Sequence, residues 1–273
     1  MIKVVAALLI GAAVSGAPAG AQLRPLEPMQ TRLFTERATV SVEIGASRLL
    51  DQRASLAGET GNLWEIGTFT AAWRTGRVIL EAAGTAQRFF HETSKFETPY
   101  PDVEPAEDNR RHDSGDYRLS TTVRLTPLHF PAVGSVRFGT RLPTTDNTTG
   151  LDRDAVDFFA TVGLASDRGP LFITGEAGLG IHTTRENRFE QDDLLLYALR
   201  TEYSFGGIKP SIAVIGQMHG TGHSAIRGVE NLGELRAGFR AGRAYWVRVE
   251  YVKGYETFSP SQGFILTAGL LRR

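Results

Sequence analysis

The chain has 273 residues with 30 basic and 30 acidic side chains, so it lacks the positive excess that electrostatic nucleic-acid binding needs. It contains no cysteine, which excludes disulfides and thiolate metal sites. Packing and backbone pairing must therefore stabilise the fold, and we expect no nucleic-acid partner.

The first residues have the layout of a secretory signal peptide. Met1-Ile2-Lys3 is a short positive region, Val4 to Val14 is apolar, and Ala19-Gly20-Ala21 is a small-x-small cleavage site. A retained membrane anchor is disfavoured, because the apolar run is shorter than the ~20 residues of a spanning helix. We predict export through the Sec pathway with loss of residues 1–21. A periplasmic N-terminal segment then covers residues 22–36, and a barrel covers residues 37–273.

Period-two alternation starts directly after this segment. One face of the first predicted strand carries Ala38, Val40, Val42, Ile44 and Ala46, and the other carries Thr39, Ser41, Glu43, Gly45 and Ser47. Successive side chains of a strand point to opposite faces, so one face is apolar and the other small or polar. The same pattern recurs in residues 117–126, 171–182 and 195–205. It is typical of strands with lipid on one side and a polar lumen on the other.

Extending this pattern along the chain predicts strands at residues 37–48, 62–73, 76–88, 115–126, 133–142, 154–165, 170–182, 194–205, 209–219, 229–240, 243–254 and 262–271. Many approach the 9–11 residues of a tilted membrane crossing. Short turns alternate with longer, charged connections, and the longest predicted connection is Phe89 to Ser114. The sequence therefore predicts an all-β fold: a single transmembrane antiparallel β-barrel of about 12 strands with both termini in the periplasm.

A strand-to-loop motif within residues 133–182 resembles one found in a known family. It comprises Phe138-Gly139-Thr140-Arg141-Leu142-Pro143-Thr144-Thr145-Asp146, followed by Val156-Asp157-Phe158-Phe159 and by Gly175-Glu176-Ala177-Gly178-Leu179-Gly180. This stretch is similar to the Gly-x-x-x-Pro-Thr signature of outer-membrane transporters of the phenol meta-pathway degradation family. The resemblance implies a barrel that takes up small organic molecules, and it supplies no catalytic residue.

The strand phase directs many charged side chains into the lumen. The predicted pore-lining or substrate-binding residues are Arg118, Arg124, Arg137, Arg141, Asp157, Glu176, Arg200, Glu202, Arg236, Arg248 and Glu250. The same phase also points Glu43, Glu65, Glu81, Glu234 and Arg240 inward. A polar interior is expected both for a conducting barrel and for one that is filled by ion pairs, so both interpretations stay open.

Three of these arginines predict a basic strip on neighbouring strands. If the intervening turn centres near His129, Arg118 lies opposite Arg141 and Arg137 lies lower on the same wall. Like charges across strands are unfavourable unless acids, water or an anionic ligand compensate. The strip therefore either favours anionic solutes or is neutralised by Asp157, Glu176 or Glu81.

Other residue groups suggest chemistry that the sequence supports less well. The stretch Met218-His219-Gly220-Thr221-Gly222-His223-Ser224 offers the Ser and His of an esterase, but nothing identifies an oxyanion hole or an orienting acid. The acidic residues 101–109 carry oxygen ligands without the spacing of a calcium loop. His112-Asp113 and His182 are too isolated to indicate a metal site.

These observations favour a pore or facilitated transporter in the bacterial outer membrane for small solutes, anionic or aromatic ones included. The alternatives are an outer-membrane hydrolase acting on lipid or peptide and a soluble periplasmic lipid-binding β protein. We predict no cofactor and no metal. The expected partners are outer-membrane lipid and lipopolysaccharide, the barrel-insertion machinery and the small-molecule solute.

Overall fold

A computed structural model describes residues 23–144, 147–152, 155–183, 191–219 and 227–273. Within these ranges the strands are β1 (Val40–Ala54), β2 (Glu59–Thr75), β3 (Val78–Lys95), β4 (Arg110–Asp113), β5 (Tyr117–Arg124), β6 (Ala132–Leu142), β7 (Asp157–Arg168), β8 (Leu171–Thr183), β9 (Gln191–Tyr203), β10 (Ile208–His219), β11 (Leu232–Gly242), β12 (Tyr245–Gly254) and β13 (Gln262–Arg272). A helical turn, α1 (Arg32–Thr35), precedes β1, and a 3-10 turn (Asn147–Thr149) follows β6. No helix among the described residues is long and apolar enough to cross a membrane.

The strands close into an antiparallel barrel. β1 pairs with both β2 and β13, with Val40 opposite Trp73 on one side and Arg272 on the other. Every other neighbour along the sheet is antiparallel, and β3 pairs with β5. The short β4 lies in line with β5 and pairs with residues Arg88 to His91 of β3. Twelve strands thus form the closed wall, as the alternation predicts.

The two faces of the wall differ in polarity as the period-two pattern requires. In β7, Phe158, Val162 and Leu164 are exposed on the outside, whereas Asp157 and Thr161 are buried on the inside. The aromatic residues Trp64, Tyr203, Tyr245, Tyr251 and Phe264 are likewise exposed. An outward apolar band with aromatic side chains near its edges matches the surface of a transmembrane barrel.

The two ends of the barrel have connections of different length. Five short connections, after β2, β5, β7, β9 and β11, lie at one end, which we call the turn end. Gly76, Gly169 and Gly206 have φ near 60° there, a conformation that only glycine adopts without steric cost. The remaining connections lie at the opposite end, which we call the loop end.

The third strand extends further than the sequence predicts. The connection Phe89 to Ser114 was expected to be a loop, but Phe89 to Lys95 belongs to β3 and Arg110 to Asp113 forms β4. The inward side of β3 also changes phase, because both Thr85 and Arg88 face the lumen although they are three residues apart. Gly67 of β2, with φ 68°, lies in the bulged part of the same sheet.

Several apolar clusters are buried in the described structure, and two of them lie at opposite ends of the barrel. The loop-end cluster contains Leu23, Leu49, Leu56, Leu63 and Phe90. The turn-end cluster contains Leu33, Phe34, Ile79, Val133 and Phe172. Both include residues that precede β1, so the N-terminal chain contributes to the packing of both ends.

A charge placed outside the barrel should be far more damaging than one placed inside. Leu179→Arg puts a guanidinium on the outer face, where the leucine is 59% exposed, and Thr70→Arg puts one into the lumen cavity. An arginine facing the bilayer midplane costs roughly 2–4 kcal/mol. We expect Leu179→Arg to lower the folded fraction in lipid vesicles, measured by heat-modifiable gel migration, while Thr70→Arg folds normally. Equal tolerance would contradict the assigned faces.

Candidate functional site

Residues 23–38 run lengthwise through the lumen, and we call them the luminal segment. Leu23 packs with Leu56, which lies at the loop end, whereas Phe34 belongs to the same cluster as Ile79 at the turn end. The sequence predicts residues 22–36 as a periplasmic segment, and the structure places residues 23–36 inside the barrel. Alternation could not reveal this position, because these residues form no strand.

Charged contacts fix the luminal segment near the loop end. Arg24 donates two hydrogen bonds of 3.0 Å to Glu234 on β11 and one of 3.1 Å to Glu65 on β2. Arg236 in turn donates to both carboxylate oxygens of Glu27, at 2.7 and 2.9 Å. Glu27 also lies 3.8 Å from Arg24, so two guanidinium groups compensate its buried charge. Glu27 is therefore held as a carboxylate.

Further contacts continue along the middle of the luminal segment. The backbone N–H of Met29 donates to Glu176 at 3.1 Å, and the hydroxyls of Thr31 and Thr174 lie 3.2 Å apart. Arg137 donates to the Glu27 carbonyl at 3.1 Å. These bonds hold the segment against the wall formed by β6 and β8.

The turn end of the luminal segment is held by a second group of ion pairs. Arg32 pairs with Glu202 of β9 and with Glu36, the latter at 2.7 Å. Glu36 also contacts Arg240 at 3.4 Å and Lys209 at 3.5 Å. Burial would raise the pKa of Glu36, but Arg32, Lys209 and Arg240 lower it on balance.

The predicted basic strip is present in the register, but acids neutralise most of it. Arg118 lies opposite Arg141 on the β5–β6 pair. Arg141 contacts Asp157 at 3.0 Å, and Arg137 contacts Glu176 at 2.5 Å. Arg118 forms no hydrogen bond or ion pair with any residue that the structure describes; Glu27 and Glu81 act on it only at longer range.

The remaining predicted lining residues are also paired. Arg200 contacts Glu250 at 2.9 Å, and Arg248 contacts Glu43 at 3.1 Å and Glu250 at 3.3 Å. Arg124 has a different position. Its guanidinium donates to the carbonyls of Thr126, Pro127 and Phe130, so it stabilises the β5–β6 turn rather than facing a solute.

A group that the sequence analysis did not identify lies at the loop end, and we call it the loop-end acidic cluster: Asp113, Asp116, Asp152, Asp157, Arg88 and Arg141. Arg88 donates to Asp113 at 2.8 Å and to Asp152 at 2.5 Å. Arg141 reaches Asp116 at 3.1 Å and Asp152 at 3.3 Å. Four carboxyl groups thus share two guanidinium groups. Because the alternation of β3 changes phase, the sequence pattern did not place Arg88 in the lumen. An inward Arg88 would have been the signal that indicates the cluster.

The residues considered for hydrolysis and metal binding have structural partners. His219 places Nδ1 3.0 Å from Asp192 and Nε2 2.6 Å from the Val229 carbonyl, so both ring nitrogens are engaged. His223 and Ser224 lie outside the described residues. Nδ1 of His182 lies 3.7 Å from Asp157. Among the described parts of the chain, no three His, Asp or Glu side chains are arranged to hold a metal ion.

A cavity of about 190 Å³ extends beside the luminal segment. Its lining reaches from Asp116 and Asp152 at the loop end to Arg240 and Trp246 towards the turn end. Polar side chains of the wall and the prolines of the luminal segment lie along it. Because its lining residues come from both halves of the barrel, the cavity is the candidate space for a solute.

The loop-end acidic cluster should make the stability of the barrel depend on pH. Burial raises the pKa of the Asp116 carboxyl from about 3.8 to about 7. Arg141 opposes this rise, and repulsion from Asp152 adds to it. A carboxyl whose pKa is higher in the folded state than in the unfolded chain contributes its full stabilisation at pH values below the unfolded-state pKa. This contribution disappears as the pH rises through about 7.

We therefore expect the thermal midpoint in detergent to fall between pH 5 and pH 8, and Asp116→Asn to flatten this fall. Glu107→Gln removes an exposed acid of the same connection and should leave the profile unchanged. A wild-type profile that Asp116→Asn does not alter would show that Asp116 titrates normally.

Comparison with solved structures identifies related folds. An outer membrane channel from Pseudomonas putida F1 matches with a TM-score of 0.57 and 11% identity over 95% of this chain and 100% of that chain. Outer membrane phospholipase A from Escherichia coli matches at 0.44 and 11%, over 92% and 98%. Salmonella typhi OmpF matches at 0.39 and 9%, over 85% and 96%.

No family model matches the chain, and no curated protein matches it in sequence. The resemblance to the phenol meta-pathway degradation family therefore stays a prediction. The last two structural similarities are too weak to support an argument. The first one shows the fold, and the chain shares the closed β-barrel fold of an outer membrane channel.

Proposed function

We propose that the protein is a channel for small solutes in the bacterial outer membrane. The observation that carries the proposal is the cavity that follows the luminal segment inside a barrel with an apolar exterior. In this proposal the Sec pathway exports the chain, residues 1–21 are removed, and both termini face the periplasm. The barrel-insertion machinery then places the apolar band among lipid and lipopolysaccharide.

The size of the cavity supports small solutes rather than large ones. Sites for drug-sized ligands have volumes of roughly 300–1,000 Å³, whereas this cavity has about 190 Å³. Without the luminal segment, the passage would have the full width of the lumen. The ion pairs of Arg24, Glu27 and Arg32 therefore set the size limit, and anionic and aromatic solutes of a few heavy atoms fit within it.

Loosening the luminal segment should widen the passage. The double variant Arg24→Gln, Glu27→Gln removes the charged contacts to Glu65, Glu234 and Arg236. We expect the single-channel conductance in planar bilayers to rise several-fold, because ions then use the space that the segment fills. Liposome-swelling rates with sugars should rise in parallel.

The control for this experiment is Arg111→Gln, which removes a buried ion pair with Glu59 that includes neither the luminal segment nor a residue lining the cavity. Its conductance should stay close to that of the parent protein. Absence of conductance in both the parent and the double variant, with folding confirmed by gel migration, would overturn the proposed channel function.

A further inference from the structure

One lumen arginine differs from the others in its surroundings. The inward arginines Arg88, Arg137, Arg141, Arg200 and Arg236 each contact a carboxylate directly. Arg118 lines the cavity and donates to no described residue. It is also partly accessible within the lumen, whereas Arg137 and Arg236 are almost completely enclosed. Its five N–H donors are therefore available to the contents of the cavity.

The position of the luminal segment explains why this space exists. The segment is bonded to Arg137 of β6, Glu176 of β8, Glu202 of β9 and Glu234 of β11. Except for the bond from Arg24 to Glu65 in the loop-end half of β2, the partners lie on one side of the barrel. The rest of the opposite wall, formed by β2, β3 and β5, faces the cavity. There Thr68, Thr70 and Thr85 line the cavity with Arg118.

We infer that Arg118 and these threonines form a binding site for a small carboxylate within the passage. This inference rests on the proposed channel function. A guanidinium holds a carboxylate with two parallel hydrogen bonds, and hydroxyl groups can donate to the remaining lone pairs. The cavity volume equals that of about six waters in the liquid, so acetate and other small carboxylates fit.

Two acids near Arg118, Glu27 and Glu81, compete with a solute carboxylate for the positive charge of the guanidinium. Glu27 is already bonded to Arg236, so its charge is compensated. Glu81 of β3 acts on Arg118 at longer range, and its buried Oε2 atom has no hydrogen-bond partner among the described residues. A carboxylate solute therefore binds against the repulsion of Glu81. Replacing Glu81 by glutamine should strengthen binding.

The test measures acetate binding in two independent ways. One is the concentration-dependent block of chloride current by potassium acetate in planar bilayers at constant ionic strength. The other is saturation-transfer NMR of the acetate methyl group on the purified protein in detergent, which needs no conduction. Gel migration confirms that each variant is folded.

We expect Arg118→Gln to weaken acetate binding about tenfold, the usual effect of losing a charged hydrogen-bond donor pair. Arg118→Lys keeps the charge but loses the planar fork, so it should restore binding only in part. Glu81→Gln should tighten binding. Arg111→Gln removes a buried charge from an arginine that is paired with Glu59 outside the cavity lining, so it should leave binding unchanged.

The possible results separate the two proposals. A conducting parent protein whose acetate binding is absent, or is equal in Arg118→Gln and Arg111→Gln, would overturn the carboxylate site and leave the channel in place. A non-conducting parent that binds acetate through Arg118 would support the site and overturn the channel. Weaker binding in Glu81→Gln would show that Glu81 helps to form the site, contrary to the inference.

Discussion

The closure of the backbone hydrogen-bond ladder is the constraint on which the rest of this structure depends. An apolar environment offers no partner for an exposed strand edge, so β1 must pair on both sides, with β2 and with β13. Once the sheet is closed, the side chains have only two environments. The apolar ones must face outward and the polar ones inward, so the barrel necessarily encloses a dense set of charges.

That enclosed charge in turn determines how the lumen is filled. A buried charge is strongly unfavourable unless it is paired and hydrogen-bonded. Glu65, Glu234 and Arg236 on the wall would be incompletely compensated without Arg24 and Glu27 of the luminal segment. The segment therefore narrows the lumen and completes the ion pairs of the wall at the same time. Apolar packing supports the same position, because Leu26 packs against the cluster that contains Phe159 and Leu194, and Met29 is buried.

The fold could be predicted from the sequence to a large extent, because alternation is a local signal that each strand carries separately. The pairing of Arg118 with Arg141 also followed from one turn position. The luminal segment could not be predicted, because it has no period and its contacts are long-range: Arg24 and Glu234 are 210 residues apart. The acid partners of Arg137 and Arg141 were named as alternatives, but only the three-dimensional structure could decide between an acid and a solute.

The described charged side chains differ between the two ends of the barrel. The loop-end acidic cluster brings four carboxyl groups together with Arg88 and Arg141. A recess at the turn end is lined by two acids, Glu36 and Asp167, and by six basic residues: Arg37, Lys209, Arg240, Arg243, Arg272 and Arg273. If the proposed carboxylate site exists, the basic side chains of this recess would attract its ligand towards the turn end. Arg118 lies between these regions, where the wall is not covered by the luminal segment. In the proposed channel, a single accessible guanidinium at this point would hold an anion reversibly, because the basic side chains of the turn-end recess compete for it.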